Sequence, residues 1–442
     1  MAKKKQTIYS KDWASLHPYQ GSARTDFYYT TIANKIYTVL DNLLENEISD
    51  ENLFYLEEEE KKQLACTLTS YFEDIISEAG IFRAFTKEHY RKYNSPLPFF
   101  PCNDYANEEI NTEDIQFLTW HYFMQLNRGE IPYSPETPLF SRIAEKVMEI
   151  LDEEYESAPA NEKLKGFFDL SPKECTNLYS LQARFAWLAT ESYLFQFNGR
   201  QMQEEIDDIV KEDGTEEYLP DMVNVLCNDF AYNLITEFMQ HSPAQWLAIL
   251  LGEEHPAHEA LKNLSRKYSG YFDFVDEDKY NARFRHIITG EIIEVTQKSL
   301  KGFPEDMKSD KTSLYAGFVR WQNEWWIMGL VNTYPKSEDL TEEIDKRAEE
   351  ESHIFEEKTD LPENEQEIIL KDILEDTDLG EGEMPLTPEE TAWIAVLSDE
   401  LGVSFMENAV QKGKVPELRF NGEKGYELLH DNLDFILRYI KR

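Results

Sequence analysis

The residues best spaced for chemistry are His255 and His258, three apart and preceded by Glu253 and Glu254. Two imidazoles at that spacing share one face of a helix and could hold one metal ion. Pro256 between them, however, belongs at the first position of a helix, so His255 reads as a cap and no metal site is assigned. The other histidines, at 17, 89, 121, 241, 286, 353 and 430, are scattered, without an HExxH pattern or a downstream third ligand. Cys66, Cys102, Cys175 and Cys227 lie 36, 73 and 52 residues apart, unlike a zinc knuckle or a redox pair. Cys66 and Cys227 fall in apolar helical patterns and read as buried thiols. No serine stands in a GxSxG elbow, and no glycine-rich phosphate loop occurs. Carboxylate pairs carry no information in a chain with 86 Asp/Glu. No catalytic residue and no cofactor is therefore assigned, and an enzyme would need a site assembled from distant residues.

A different kind of site is suggested between 265 and 335, where ten Lys/Arg balance ten Asp/Glu, against 44 and 86 in the whole chain. Apolar residues there alternate with period two over 271–275, 283–289, 292–295, 314–321 and 325–331. The candidate binding residues are Arg283, Arg285, Arg320, Trp321, Trp325 and Trp326. Cations interleaved with aromatics on strands are how small barrels hold single-stranded nucleic acid, by stacking and phosphate neutralisation. The competing reading gives one aromatic face to the barrel core and the other to packing against a helical body. Packing is favoured, because a formal charge of −42 repels phosphates. Trp325 and Trp326 should point to opposite faces of one strand, one inward and one covered by the body. Thr289-Gly290 is expected as a tight two-residue hairpin turn between strands ending at Ile288 and starting at Glu291.

The rest of the chain must position that island. Helical periodicity marks 26–44, 57–79, a short helix after Gly80, the stretch after Asn111, 139–155, 220–239, the segment after Pro243, and 258–268. Ser171-Pro172-Lys173-Glu174 combines an N-cap serine, proline at the first helical position and a glutamate at the third, so a helix should start there and run through Leu194. Residues 337–383 hold twenty Asp/Glu against four Lys/Arg and read as an acidic linker with local helix. The fold class is α+β: a predominantly helical domain over 1–264, a small five-stranded β-barrel-like module over 265–335, an acidic linker over 336–383 and a short helical region over 384–442.

Tyr9-Ser-Lys-Asp-Trp13, Leu16-His-Pro-Tyr19, Thr25-Asp-Phe-Tyr-Tyr29 and Asn111-Thr-Glu-Asp-Ile-Gln-Phe-Leu-Thr-Trp120 resemble an uncharacterised family of Bacteroides-type gut bacteria over roughly the first third of the chain. That resemblance implies a bacterial protein and transfers no activity. The 271–331 pattern resembles small SH3-like or OB-like barrels, which is a likeness of architecture alone.

The basic start MAKKK lacks a following apolar stretch, and no run reaches a membrane span, so a cytoplasmic protein without membrane contact is expected. The leading functional expectation is a non-enzymatic interaction protein whose acidic surface engages a basic protein. The alternatives are a nucleic-acid-associated protein using the β module and a hydrolase with a dispersed site.

Overall fold

A computed structural model describes residues 7–351 and Phe355, apart from 48–53, 94, 98–99, 101, 103–104, 127–136, 214–218, 237, 240 and 303–304. The region expected as C-terminal helices, 384–442, lies outside the described residues. Helices come first: α1 (Ser10–Ala14), α2 (Asp26–Glu47), α3 (Glu58–Ser77), α4 (Ile81–Tyr93), α5 (Thr112–Leu126), α6 (Pro138–Tyr155) and α7 (Glu162–Phe168). They continue with α8 (Leu178–Thr190), α9 (Gln196–Asp213), α10 (Leu219–Asn233), α11 (Pro243–Leu251) and α12 (His258–Lys262). Five strands follow, β1 (Tyr268–Glu277), β2 (Asn281–His286), β3 (Ile292–Thr296), β4 (Thr312–Trp321) and β5 (Glu324–Pro335), and then α13 (Glu338–Glu351). The molecule is a mixed α+β protein.

Local chemistry sets the boundaries. Ser242 caps α11 by accepting from Gln245 N at 3.3 Å, with Pro243 in the first turn, and Gly252 ends the helix at φ 83°. The Ser171 start signal builds less than expected. The Glu174 carboxylate does return to Ser171 N at 3.0 Å, but the result is one 3₁₀ turn, Glu174–Thr176. Asn177, extended at φ −118°, then restarts the chain by accepting from Tyr179 N at 3.1 Å, and α8 begins there. Helices α1, α7 and α9 were not anticipated. Asn161 caps α7 by accepting from Lys163 N and Leu164 N, and α12 is shorter than read, because Tyr268 already belongs to β1.

The sheet closes on itself in the order β1-β2-β3-β5-β4, antiparallel except where β3 meets β5 in parallel at Val295 and Trp325. Inward residues alternate along the strands: Phe272, Phe284, Val295, Leu314, Ala316, Phe318 and Ile327 form a separate apolar core. The β2–β3 turn differs from the tight pair expected. The strands stop at His286 and resume at Ile292, and the turn is closed by Gly290 N donating to His286 O (2.9 Å) and His286 N to Glu291 O (2.8 Å). Thr289 N is drawn to His286 Nδ1 at 3.3 Å, which widens the loop, and Gly290 supplies the positive φ of 73°.

The outer face of β4 and β5 belongs to the helical body, whose core takes in Val319, Trp321, Trp326 and Met328. Trp326 meets Tyr179 of α8 edge-on at 6.1 Å and Trp321 at 5.4 Å. Lys267 lies buried in this joint, its Nζ 2.9 Å from Asp229 of α10 and its backbone N 2.8 Å from Asn233 Oδ1. A Cβ on Gly317 would collide with the Lys267 stem, so glycine leaves the path by which Lys267 crosses β4 to reach Asp229.

Candidate cleft at the barrel mouth

Where β1 leaves the body, a cleft of about 1000 Å³ opens between α12, the β2–β3 turn and the β4–β5 hairpin. Glu259 and Asn263 line it from α12, Ser265, Arg266 and Tyr268 from the entry to β1, and Glu291 from the turn. Arg320, Gln322, Asn323 and Trp325 line it from the hairpin, and Phe355 contributes from beyond α13. Trp321 and Glu324 pair across the hairpin, leaving Gln322 (φ 52°) and Asn323 (φ 62°) as its two central residues. That double positive φ is the type I′ turn that suits strand twist. Asparagine accepts it readily, but glutamine does not, so backbone strain sits on the rim of the cleft.

The cleft combines aromatic faces with balanced charge. The Arg266 guanidinium lies 5.1 Å above the Tyr268 ring, and Tyr268 meets Trp325 edge-on at 5.5 Å. Arg320 pairs with Trp325 across the β4–β5 ladder and is exposed. Arg266 and Arg320 stand against Glu259 and Glu291, so the lining carries no large net charge.

Of the six residues expected from sequence, the structure brings Arg320 and Trp325 into the cleft. Trp321 and Trp326 are buried at 1% and 6% exposure in the joint with the body, which removes them from any open surface. Trp325 is half-buried against the barrel core, so the alternation expected for adjacent tryptophans holds. Arg283 and Arg285 lie on the outer face of β2 and are neutralised from β1. Arg283 donates to Asp276 at 2.5 and 2.6 Å, and Arg285 stands 3.9 Å from Asp273. The sequence reading missed Arg266, Tyr268, Glu291 and Phe355; of these, the Arg266-x-Tyr268 spacing, which puts cation and ring on one strand face, was the available signal.

Other polar clusters are sealed. His17 places Nε2 2.6 Å from Glu73 Oε2 and Nδ1 3.0 Å from Trp13 O, while Asn161 Nδ2 donates to Glu73 Oε1 at 2.9 Å. Both ring nitrogens of His17 face acceptors, so the ring is held as the imidazolium. Burial alone would lower its pKa, but the hydrogen bond and charge of Glu73 and the Trp13 carbonyl outweigh that and raise it. With side chains 4% and 1% exposed, the pair ties the turn after α1 to α3. Asp114 is pushed up to about 7 by burial, against hydrogen bonds from Tyr105 and Tyr71, both at 2.6 Å.

Cys175 Sγ lies 4.0 Å from His255 Nε2, but His255 Nδ1 accepts from Ala257 N at 3.2 Å. The neutral ring then carries its proton on Nε2 and has no lone pair free to take one from the thiol. His255 thus holds the backbone of Ala257, the N-cap residue of α12, and is not itself the cap expected; His258 Nδ1 turns to Ala248 O at 2.9 Å, and no group of three potential metal ligands occurs among the described residues. Cys66 is half-buried with its thiol pushed up to about 12 by burial, and Cys227 is also half-buried. No helix among the described residues is long and apolar enough to cross a membrane.

Fold and cleft together define a helical body carrying a five-stranded sheet with an aromatic, charge-balanced mouth. The chain belongs to the family described as Protein of unknown function (DUF3843), which matches residues 7–286. That stretch spans the body and ends at His286 in β2, so Arg266 and Tyr268 fall inside it, whereas Arg320, Trp325 and Phe355 fall beyond it. No curated protein and no solved structure matches the chain.

Proposed function

We propose that this is a non-enzymatic interaction protein whose recognition site is the cleft at the barrel mouth, taking an aromatic side chain from a basic polypeptide partner. The observation that carries the reading is that the mouth already holds an aromatic side chain from a polypeptide: Phe355 packs among Tyr268, Trp325 and His286 at centroid distances of 5.4 to 6.2 Å. Buried aromatic anchors in pockets dominate binding energy at protein interfaces, and rim charges choose the partner. The lining is balanced, so the surrounding charge decides, and the chain carries −42. A partner with Lys or Arg beside its aromatic residue gains from that field, and the gain weakens as salt shortens its reach.

A second reading, binding of single-stranded nucleic acid, draws on the strand order with its parallel β3–β5 pair, which resembles OB-like barrels, and on Arg266 over Tyr268. Against it, the cations on β2 are spoken for by Asp276 and Asp273. Calorimetric titration of the full chain separates the two. A peptide with one Phe flanked by lysines is expected to bind, its affinity falling with salt, while the same peptide without the ring and an oligothymidylate are not. Tighter binding of the oligonucleotide than of the Phe peptide would overturn the proposal in favour of the second reading.

A further inference from the structure

The strands end far from the mouth, yet the chain returns to it. β5 runs from the mouth at Glu324 to the opposite end at Pro335, where Lys336 N reaches Lys311 O at 3.1 Å. Ser337 opens α13, its Oγ accepting from Leu340 N at 3.2 Å. A helix of 14 residues rises about 21 Å, enough to retrace about half of β5. Its path along the barrel is fixed by Arg347, whose guanidinium lies 5.7 Å over Tyr271 and 5.3 Å over Tyr315, outward-facing partners on β1 and β4. Four positions after the helix, Phe355 enters the mouth.

There its ring has four aromatic neighbours from the barrel: Tyr268 at 5.5 Å, His286 at 5.4 Å, Trp325 at 6.2 Å and Phe272 at 6.3 Å. The His286 and Trp325 contacts are edge-to-face, the favoured geometry for ring pairs. Phe272 belongs to the barrel core, so Phe355 covers the core's open end and fills part of the cleft at once. Yet the segment that brings it is the least suited to this molecule on charge: residues 337–383 carry twenty Asp/Glu against four Lys/Arg, and residues 1–264 carry 46 against 22. The ring is favoured and its flanks are opposed.

We infer that Phe355 is an intramolecular ligand of the barrel mouth, held in place until the aromatic side chain of a more basic polypeptide displaces it. The inference rests on the interaction reading above for its partner, but the occupancy itself does not. An internal ligand lowers the apparent affinity of an external one by the fraction of molecules whose site is free. Flanks repelled by the body keep that competition weak enough to be won, and the partner's cations reverse the sign of the same term.

The test uses the full chain, its Phe355→Ala variant and Phe355→Leu, which keeps apolar volume without the ring. Two probes are titrated by calorimetry, a lysine-flanked Phe peptide and a peptide copying residues 349–360, with thermal unfolding followed in parallel. Phe355→Ala is expected to bind both probes about tenfold or more tightly than the unaltered chain, with Phe355→Leu between them. If the self-copy peptide binds Phe355→Ala and the basic peptide binds nothing, the internal ligand stands and the partner reading falls. Equal affinity of all three chains for the basic peptide would overturn the inference while leaving the cleft as a site. Failure of both probes to bind either variant, with a lowered unfolding midpoint, would also overturn it and leave Phe355 as a core side chain.

Discussion

In the helical body, His17, Glu73 and Asn161 are closed off from solvent and satisfy one another, while at the barrel mouth Arg320 and Trp325 line a cleft of about 1000 Å³. Polar groups in the body and at the mouth thus do different work. Buried charge is costly unless paired, so in the body these three groups are committed to holding helices together. At the mouth the barrel core ends, and Trp325 is half-buried and Arg320 exposed where the cleft opens. Trp326 and Trp325 make the contrast within one strand: neighbours in sequence, one is part of the joint and the other part of the cleft.

The largest effect is expected from breaking the joint. Trp326→Ala removes an indole packed on Tyr179 and Trp321 and should cost about 3–5 kcal/mol in urea unfolding. A loss under about 1 kcal/mol would mean that barrel and body are energetically separate.

Next comes the sealed pair. His17→Gln removes the charge facing Glu73 and should cost about 3 kcal/mol. The pH dependence has a definite sign. Because the folded pKa of His17 is raised, its contribution is complete below the ordinary value of about 6.5 and is lost as pH rises through the higher folded value. The difference in urea midpoint between the unaltered chain and His17→Gln should therefore shrink as pH increases from 6 upward. A difference that grew with pH would show that the ring is not held charged.

Trp325→Ala sharpens the comparison from the other side. Half-buried at the mouth, it should cost about 1 kcal/mol in stability but abolish binding of the lysine-flanked Phe peptide. A stability loss matching that of Trp326→Ala, with peptide binding intact, would place Trp325 with the joint. The smallest effect is expected for Arg283→Ala, whose partner Asp276 is also exposed: neither the urea midpoint nor peptide affinity should move measurably.

The division between body and barrel was legible in the residues. Period-two alternation over 265–335, balanced charge and the Trp-rich hairpin placed five strands within a few residues of where they lie, because a half-buried strand imposes its pleat on side-chain type. Helical periodicity located α2, α3 and α6 for the same local reason. Local signals failed where two of them competed. The Ser171 box won one 3₁₀ turn and lost the helix to Asn177, and the His286 imidazole widened a turn that Thr289-Gly290 would otherwise have made tight.

For the candidate site, sequence determined that Arg283, Arg285, Arg320, Trp321, Trp325 and Trp326 share one sheet, and alternation determined that Trp325 and Trp326 face apart. Tertiary structure decided which of them remained available. Asp273 and Asp276 on the neighbouring strand took the β2 arginines, and α8 took Trp326. The meeting of Arg266, Tyr268, Trp325 and Phe355 joins residues up to 89 positions apart, brought together by closure of the sheet and by the return of α13 along it. No periodicity encodes that meeting, because register and closure are set by long-range pairing and core packing, whereas a linear pattern records only which face each residue prefers.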